Sequence, residues 1–194
     1  MEVRLGSGDA LIIIHMQNDF LPGGSLPVQM GDTIIPVINR YLMLFHDHGL
    51  PIFATRDWHP SGHCSFQQQG GPWPPHCIAT TAGAAFHPDI EFPINTQVIS
   101  TATTREKDTY SSFTDTQFHA LLQASSIRRL FFGGVATEYC VFNTVKDALL
   151  LHYTTFVLKD AVRPINVKPD DGLHALEEMK HLGAMLIRFE DLTV

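Results

Sequence analysis

"ALIIIHMQNDF", residues 10–20, opens on an unbroken apolar run and turns polar at a single histidine. Three consecutive β-branched isoleucines favour an extended strand, and the lack of polar alternation means that both of its faces are buried. A strand buried on both faces belongs in a parallel sheet covered by helices on either side. His15 stands where that strand leaves the core. It is either a core histidine satisfied by a backbone carbonyl, or part of a site that other segments complete.

The same alternation of apolar runs and helical patterns continues along the chain. DTIIPVINRYLMLFHDHG (32–49) sets Ile34, Ile38, Tyr41, Leu42 and Phe45 on one helical face and stops at Gly49. LPIFATRD (50–57) and TQVIST (96–101) read as strands. FTDTQFHALLQASS (113–126) predicts a helix capped by Thr114 or Asp115. RRLFFGGVA (128–136), TTFVLKDAV (154–162) and AMLIRF (184–189) predict strands. EYCVFNTVKDALLLH (138–152) and PDDGLHALEEMKHLG (169–183) predict helices, the second ending at Gly183. With right-handed crossovers this order predicts a doubly wound, three-layer α/β/α sandwich formed by residues 1–194 as a single domain. Ligands bind such sheets at the carboxyl ends of the strands, which gathers His15, Asp57, Thr101 and the segment around Cys140.

Composition narrows the partners. The 194 residues are 44% hydrophobic and 17% charged, as in a folded globular chain with a sizeable core. A net charge of −7 without any Lys/Arg block speaks against nucleic acid and anionic membranes. No apolar run approaches the ~20 residues of a membrane span, and MEVRLGSGDA lacks the apolar core of a signal peptide. Cys64, Cys77 and Cys140 are an odd count with no CxxC spacing, which points to a reducing compartment, the cytoplasm.

RDWHPSGHCSFQQQGGPWPPHC (56–77) is too long for a simple connector and holds Asp57, His59, His63 and His76. One carboxylate and three imidazoles can fold around one divalent metal, zinc first, with iron or manganese as alternatives, and leave positions for water or substrate. The competing reading is a polar surface loop in a His-rich chain. Cys64 and Cys77 adjoin two of the histidines and would compete as ligands. Trp73, stiffened by neighbouring prolines, suits stacking on a flat ligand and suits a core equally.

GGVATEYCVFN (133–143) passes from strand to helix and puts Cys140 in the first helical turn. Free N–H groups and the helix dipole there favour a thiolate and can bind an oxyanion. A buried structural cysteine is the alternative. Together with His15, Cys140 makes a workable nucleophile–base pair.

ALIIIHMQNDFLPGGSLPV, ATRDWHPSGHCSF, GGPWPPHC, DTYSSF and GGVATEYCV, in that order, resemble the nicotinamidase/pyrazinamidase branch of the isochorismatase-like cysteine hydrolases. The resemblance implies a six-stranded parallel sheet and hydrolysis of nicotinamide through a thioester on Cys140. It implies metal ligation by Asp57, His59, His63 and His76, with the metal holding the substrate's ring nitrogen. It places Phe20 and Trp73 as ring walls with Tyr110 nearby, a cis peptide between Val135 and Ala136, and an oxyanion hole made by the N–H groups of Ala136 and Cys140. Two positions depart from the pattern: the family's general-base Asp falls on His15, and its Lys falls on Thr101. Lys107 lies six residues further along and is not an obvious replacement. Losing both members of a buried ion pair avoids the ~3–5 kcal/mol cost of stranding one. Three readings follow. The first is an amide hydrolase acting on a small aromatic amide, with His15 as an altered base. The second is a catalytically silent relative that binds metal and a nicotinamide-like ligand. The third is a hydrolase of another small amide or carbamoyl compound. His15 reaching the metal as an extra ligand stays open, as does a homo-oligomer.

Overall fold

The computed structural model of the protein describes residues 2–194. Six strands form one parallel sheet: β2 (Asp9–Ile14), β3 (Ile52–Asp57), β4 (Gln97–Thr101), β5 (Arg129–Val135), β6 (Thr154–Arg163) and β7 (Met185–Ile187). Their spatial order is β4-β3-β2-β5-β6-β7, so the opening stretch lies at the centre, paired with β3 on one side and β5 on the other.

Alternate residues of β2 feed opposite faces, as the twofold period of a strand requires. Leu11 and Ile13 pack with Ile38, Tyr41 and Phe45 of α1 (Ile35–Asp47). Ala10, Ile12 and Ile14 pack with Phe118 and Leu122 of α2 (Phe118–Ala124), Val145 of α3 (Phe142–Leu150) and Met179 of α4 (Asp171–His181). The molecule is therefore the expected three-layer α/β/α sandwich, and the predicted face of α1 is the buried one. Among the described residues no helix is long and apolar enough to cross a membrane.

Three boundaries differ from the sequence expectation, each for a local reason. The helix expected from residue 113 starts at Phe118 with Gln117, and not Thr114 or Asp115, at its N-cap; the Phe118 N–H donates to Thr116 Oγ1 at 3.2 Å just ahead of it. The helix expected from 138 opens as a π turn over Thr137–Val141, in which Val141 N–H reaches back to Ala136 O at 3.2 Å. The last sheet strand stops at Ile187, because Arg188 N–H turns to the Asp191 carboxylate at 2.8 Å. A further pair, β1 (Val3–Arg4) with β8 (Leu192–Thr193), joins the two ends of the chain in a small parallel sheet.

Gly134 is a point of close approach between β5 and β2. Its φ is +114°, and a Cβ there would overlap the Ile14 carbonyl oxygen. The next peptide, Val135–Ala136, is cis, as the family resemblance implies. Gly134→Ala would add a backbone strain of about 1–3 kcal/mol to a steric overlap that only strand separation relieves. A lower urea midpoint, by about 3 kcal/mol or more in unfolding free energy, is the expected result. An unchanged midpoint would contradict the close contact between β2 and β5.

Candidate functional site

The site is assembled at the carboxyl edge of the sheet. β2 ends at Ile14, and His15 follows in the left-handed region at φ 48°, its N–H still bonded to Thr55 O at 3.1 Å. A non-glycine residue held there costs about 1–3 kcal/mol, which marks the position as over-determined by its surroundings. β3 ends at Asp57, and the β3–β4 register sets Thr101 beside it. Thr101 Oγ1 donates to Asp57 Oδ1 at 2.8 Å and to Arg56 O at 3.2 Å. Gln17, fully buried, clamps the Asp57 backbone from both sides: its Oε1 accepts Asp57 N–H at 2.8 Å and its Nε2 donates to Asp57 O at 2.8 Å. The Gln three residues into the polar part of the opening stretch thus fixes a carboxylate forty residues away.

Donor atoms of His15, Asp57 and Cys140 all lie within 4.8 Å of one another. His15 Nδ1 is 3.7 Å from Asp57 Oδ1, and neither ring nitrogen has a hydrogen-bond partner. Burial lowers the His15 pKa; Asp57 opposes that shift and His76 adds to it, so the imidazole stays neutral. Burial alone would raise the Asp57 pKa, but His15, His59, His76 and the Thr101 hydroxyl outweigh it and hold the carboxyl below its usual range. Cys140 is buried, and burial followed by the carboxylates of Asp57, Asp108 and Glu138 pushes its thiol up. Desolvation and this nearby negative charge act against the thiolate that the helix end favours.

Asp57, His59 and His76 form a second group with donor atoms within 4.8 Å. Their tautomers follow from their partners. A carbonyl only accepts, so His59 Nδ1–H donates to His76 O at 3.0 Å and His76 Nδ1–H donates to Pro74 O at 2.7 Å. Each ring is left with a bare Nε2, the arrangement that a ligating histidine needs. His63 is different. Its Nε2–H donates to Lys107 O at 2.9 Å, and its Nδ1 faces the Ser65 hydroxyl at 2.8 Å. Both of its nitrogens are occupied, and it stacks on His59 with ring centroids 4.4 Å apart. To ligate the same ion, it would have to give up the Lys107 carbonyl. The buried carboxylate, with two imidazoles presenting free Nε2 atoms, fits a divalent cation of the zinc, iron or manganese type.

Above these groups lies a narrow cleft of ≈ 30 Å³ lined by Phe20, Leu26, Val28, Asp57, Trp73, His76, Tyr110, Ala136, Tyr139, Cys140 and Ile165. Phe20 packs against His76 at 5.4 Å and lies parallel to His15 at 6.0 Å. On the other side Trp73 Nε1–H donates to Tyr110 Oη at 2.9 Å, and Tyr139 meets both rings at 5.2 and 5.5 Å. Tyr139 is the wall that sequence reading overlooked; its signal was an aromatic immediately before the cysteine in the same turn. Lys107 is 69% exposed and pairs with Asp115, so it brings no charge to the cleft. Cys64 is half-buried, and Cys77 is held by its N–H to Asp19 Oδ2 at 2.7 Å; neither lines the cleft.

The isochorismatase domain pattern matches residues 9–191. The nicotinamidase of Escherichia coli is 35% identical over 94% of this chain and 95% of its own. Among solved structures, the pyrazinamidase of Pyrococcus horikoshii in complex with zinc superposes with a TM-score of 0.90 at 46% identity, covering 94% of this chain and 99% of that one. PnC1 from L. infantum in complex with nicotinate gives a TM-score of 0.91 at 36% identity, covering 100% and 99%.

The hydrogen bonds around the histidines make an unequal prediction. Protein purified without chelator should carry near-stoichiometric divalent metal by elemental analysis. His76→Ala should lose it, and His63→Ala should keep most of it. Metal loss in His63→Ala equal to that in His76→Ala would contradict the assignment of the His63 nitrogens to Lys107 and Ser65.

Proposed function

The chain belongs to the isochorismatase family, in its nicotinamidase/pyrazinamidase branch, and on that footing we propose that it hydrolyses nicotinamide, or a similarly small aromatic amide, to the acid and ammonia. The observation that carries the proposal is the cluster of His15, Asp57 and Cys140 within 4.8 Å at the floor of an aromatic cleft.

The substrate ring lies between Phe20 and Trp73, with its amide over Cys140. Cys140 Sγ attacks the carbonyl carbon while its proton passes to His15, which the site keeps neutral for that purpose. The carbonyl π pair moves onto oxygen, where the N–H groups of Ala136 and Cys140 receive it. Asp57 steadies the imidazolium formed, as a carboxylate does in a Cys–His–Asp arrangement. His15 returns the proton to the amide nitrogen, the C–N bond breaks, ammonia leaves and a thioester remains on Cys140. Water then attacks the thioester, giving its proton to His15. The C–S bond breaks, the acid departs and the sulfur recovers the proton. Asp57, His59 and His76 would hold a divalent ion, zinc by analogy with the P. horikoshii complex, that offers a coordination position to the ring nitrogen.

A second reading, a silent relative that binds without turnover, has one observation in its favour. The thiol is pushed up and the imidazole pushed down, so proton transfer between them is uphill before substrate arrives. The two readings separate in one set of assays. Ammonia release from nicotinamide should be measurable in the parent and absent in Cys140→Ala. His15→Ala should lower kcat by about 10²–10⁴-fold, the usual worth of general acid–base catalysis. If the parent is inert and His15→Asp combined with Thr101→Lys gains about as much, the silent reading holds. If all of these are inert while folded and metal-loaded, the substrate class is wrong.

A further inference from the structure

We infer that His15, Asp57 and Cys140 form a second metal position, one that takes a soft divalent cation such as Zn(II), Co(II) or Cd(II) beside the Asp57–His59–His76 group. One imidazole, one carboxylate and one sulfur, with water in fourth place, make a tetrahedral set suited to thiophilic cations and not to Mg(II) or Ca(II). Their donor atoms lie within 4.8 Å of one another. Zn–N and Zn–S bonds would place donors about 3.5 Å apart, so a small inward adjustment closes the set.

The independent observation is His15 itself. It is 1% exposed, and both Nδ1 and Nε2 lack a hydrogen-bond partner. Buried polar groups are almost always paired, and an orphan marks either strain or a missing ligand. The 3.7 Å separation from Asp57 Oδ1 is too long for a hydrogen bond but suits two ligands of one ion. Asp57 belongs to both donor groups, so two cations would share its carboxylate, as in sites with metals ~3.5–4 Å apart. Among the described residues, His15 is the one ion-pair neighbour of Asp57, so no Lys or Arg competes for the position.

Binding is balanced simply. The Cys140 thiol gives its proton to solvent and its sulfur bonds the cation, with no change of oxidation state. The ion then covers the sulfur, so the second equivalent masks Cys140. None of this requires turnover, and the inference stands apart from the hydrolase reading.

The test is an anaerobic titration of the metal-loaded protein with Co(II). A second equivalent should bind with a near-ultraviolet sulfur-to-cobalt charge-transfer band and release of protons. Cys140→Ser should abolish the band, His15→Ala should weaken binding at least about tenfold, and Cys64→Ser should retain the band. No band with excess Co(II), a band that survives Cys140→Ser, or a band lost with Cys64→Ser would overturn the inference. Unmodified protein supplies a readout independent of folding in the variants: Cd(II) beyond the first equivalent should protect Cys140, but not Cys64, from alkylation, and equal labelling of both with and without Cd(II) would count against it. A protein that takes the second ion but releases no ammonia keeps this inference and loses the hydrolase reading; the opposite pattern does the reverse.

Discussion

A buried carboxylate without a fixed cation governs this molecule. Asp57 ends a central strand, is 5% exposed, and is surrounded by His15, His59, His76, Cys140, the Thr101 hydroxyl and the Gln17 clamp. Carrying that charge out of water costs several kcal/mol unless something compensates for it. The compensation comes in layers. Thr101 supplies a hydrogen bond from the next strand, His15 faces the same oxygen, and His59 with His76 turn bare nitrogens toward the same region. A site built in this way offers a carboxylate and bare imidazole nitrogens, a donor set suited to a divalent cation.

The sheet explains why these groups meet. Parallel strands deliver all their carboxyl ends to one edge, so residues far apart in sequence arrive together. Two of those ends leave through left-handed residues, His15 at φ 48° and Ala102 at φ 50°, which bend the chain sharply over the edge. Gly134 lets β5 approach β2 closely just before the π turn that carries Cys140. The widened turn then sets Tyr139 into the cleft wall and Cys140 at its floor.

The architecture was legible because ALIIIHM and RRLFFGGVA are apolar without alternation, and only a sheet covered on both faces accommodates that. The two-residue β1 and β8 were not legible: a pair so short has no period to detect. Asp57, His59 and His76 could be read as ligand-type residues from spacing, but the tautomer of each ring is set by carbonyls of Pro74, His76 and Lys107 that sequence does not place. His63 shares the ligand-type spacing, and its hydrogen bonds to Lys107 O and Ser65 Oγ are likewise invisible in sequence. The direction of the Cys140 shift was also hidden, because a helix terminus is visible in sequence whereas the desolvation and the facing Asp57, Asp108 and Glu138 are tertiary facts.

In the proposed hydrolysis Cys140 becomes acylated, with His15 and Asp57 moving the proton. Its most direct test is rapid acid quenching of the protein mixed with nicotinamide, followed by peptide mass mapping. A nicotinoyl group is expected on the peptide containing Cys140, reduced in His15→Ala and absent from the Cys64 and Cys77 peptides. Ammonia release without any acylated Cys140, or acylation that is undiminished in His15→Ala, would contradict it.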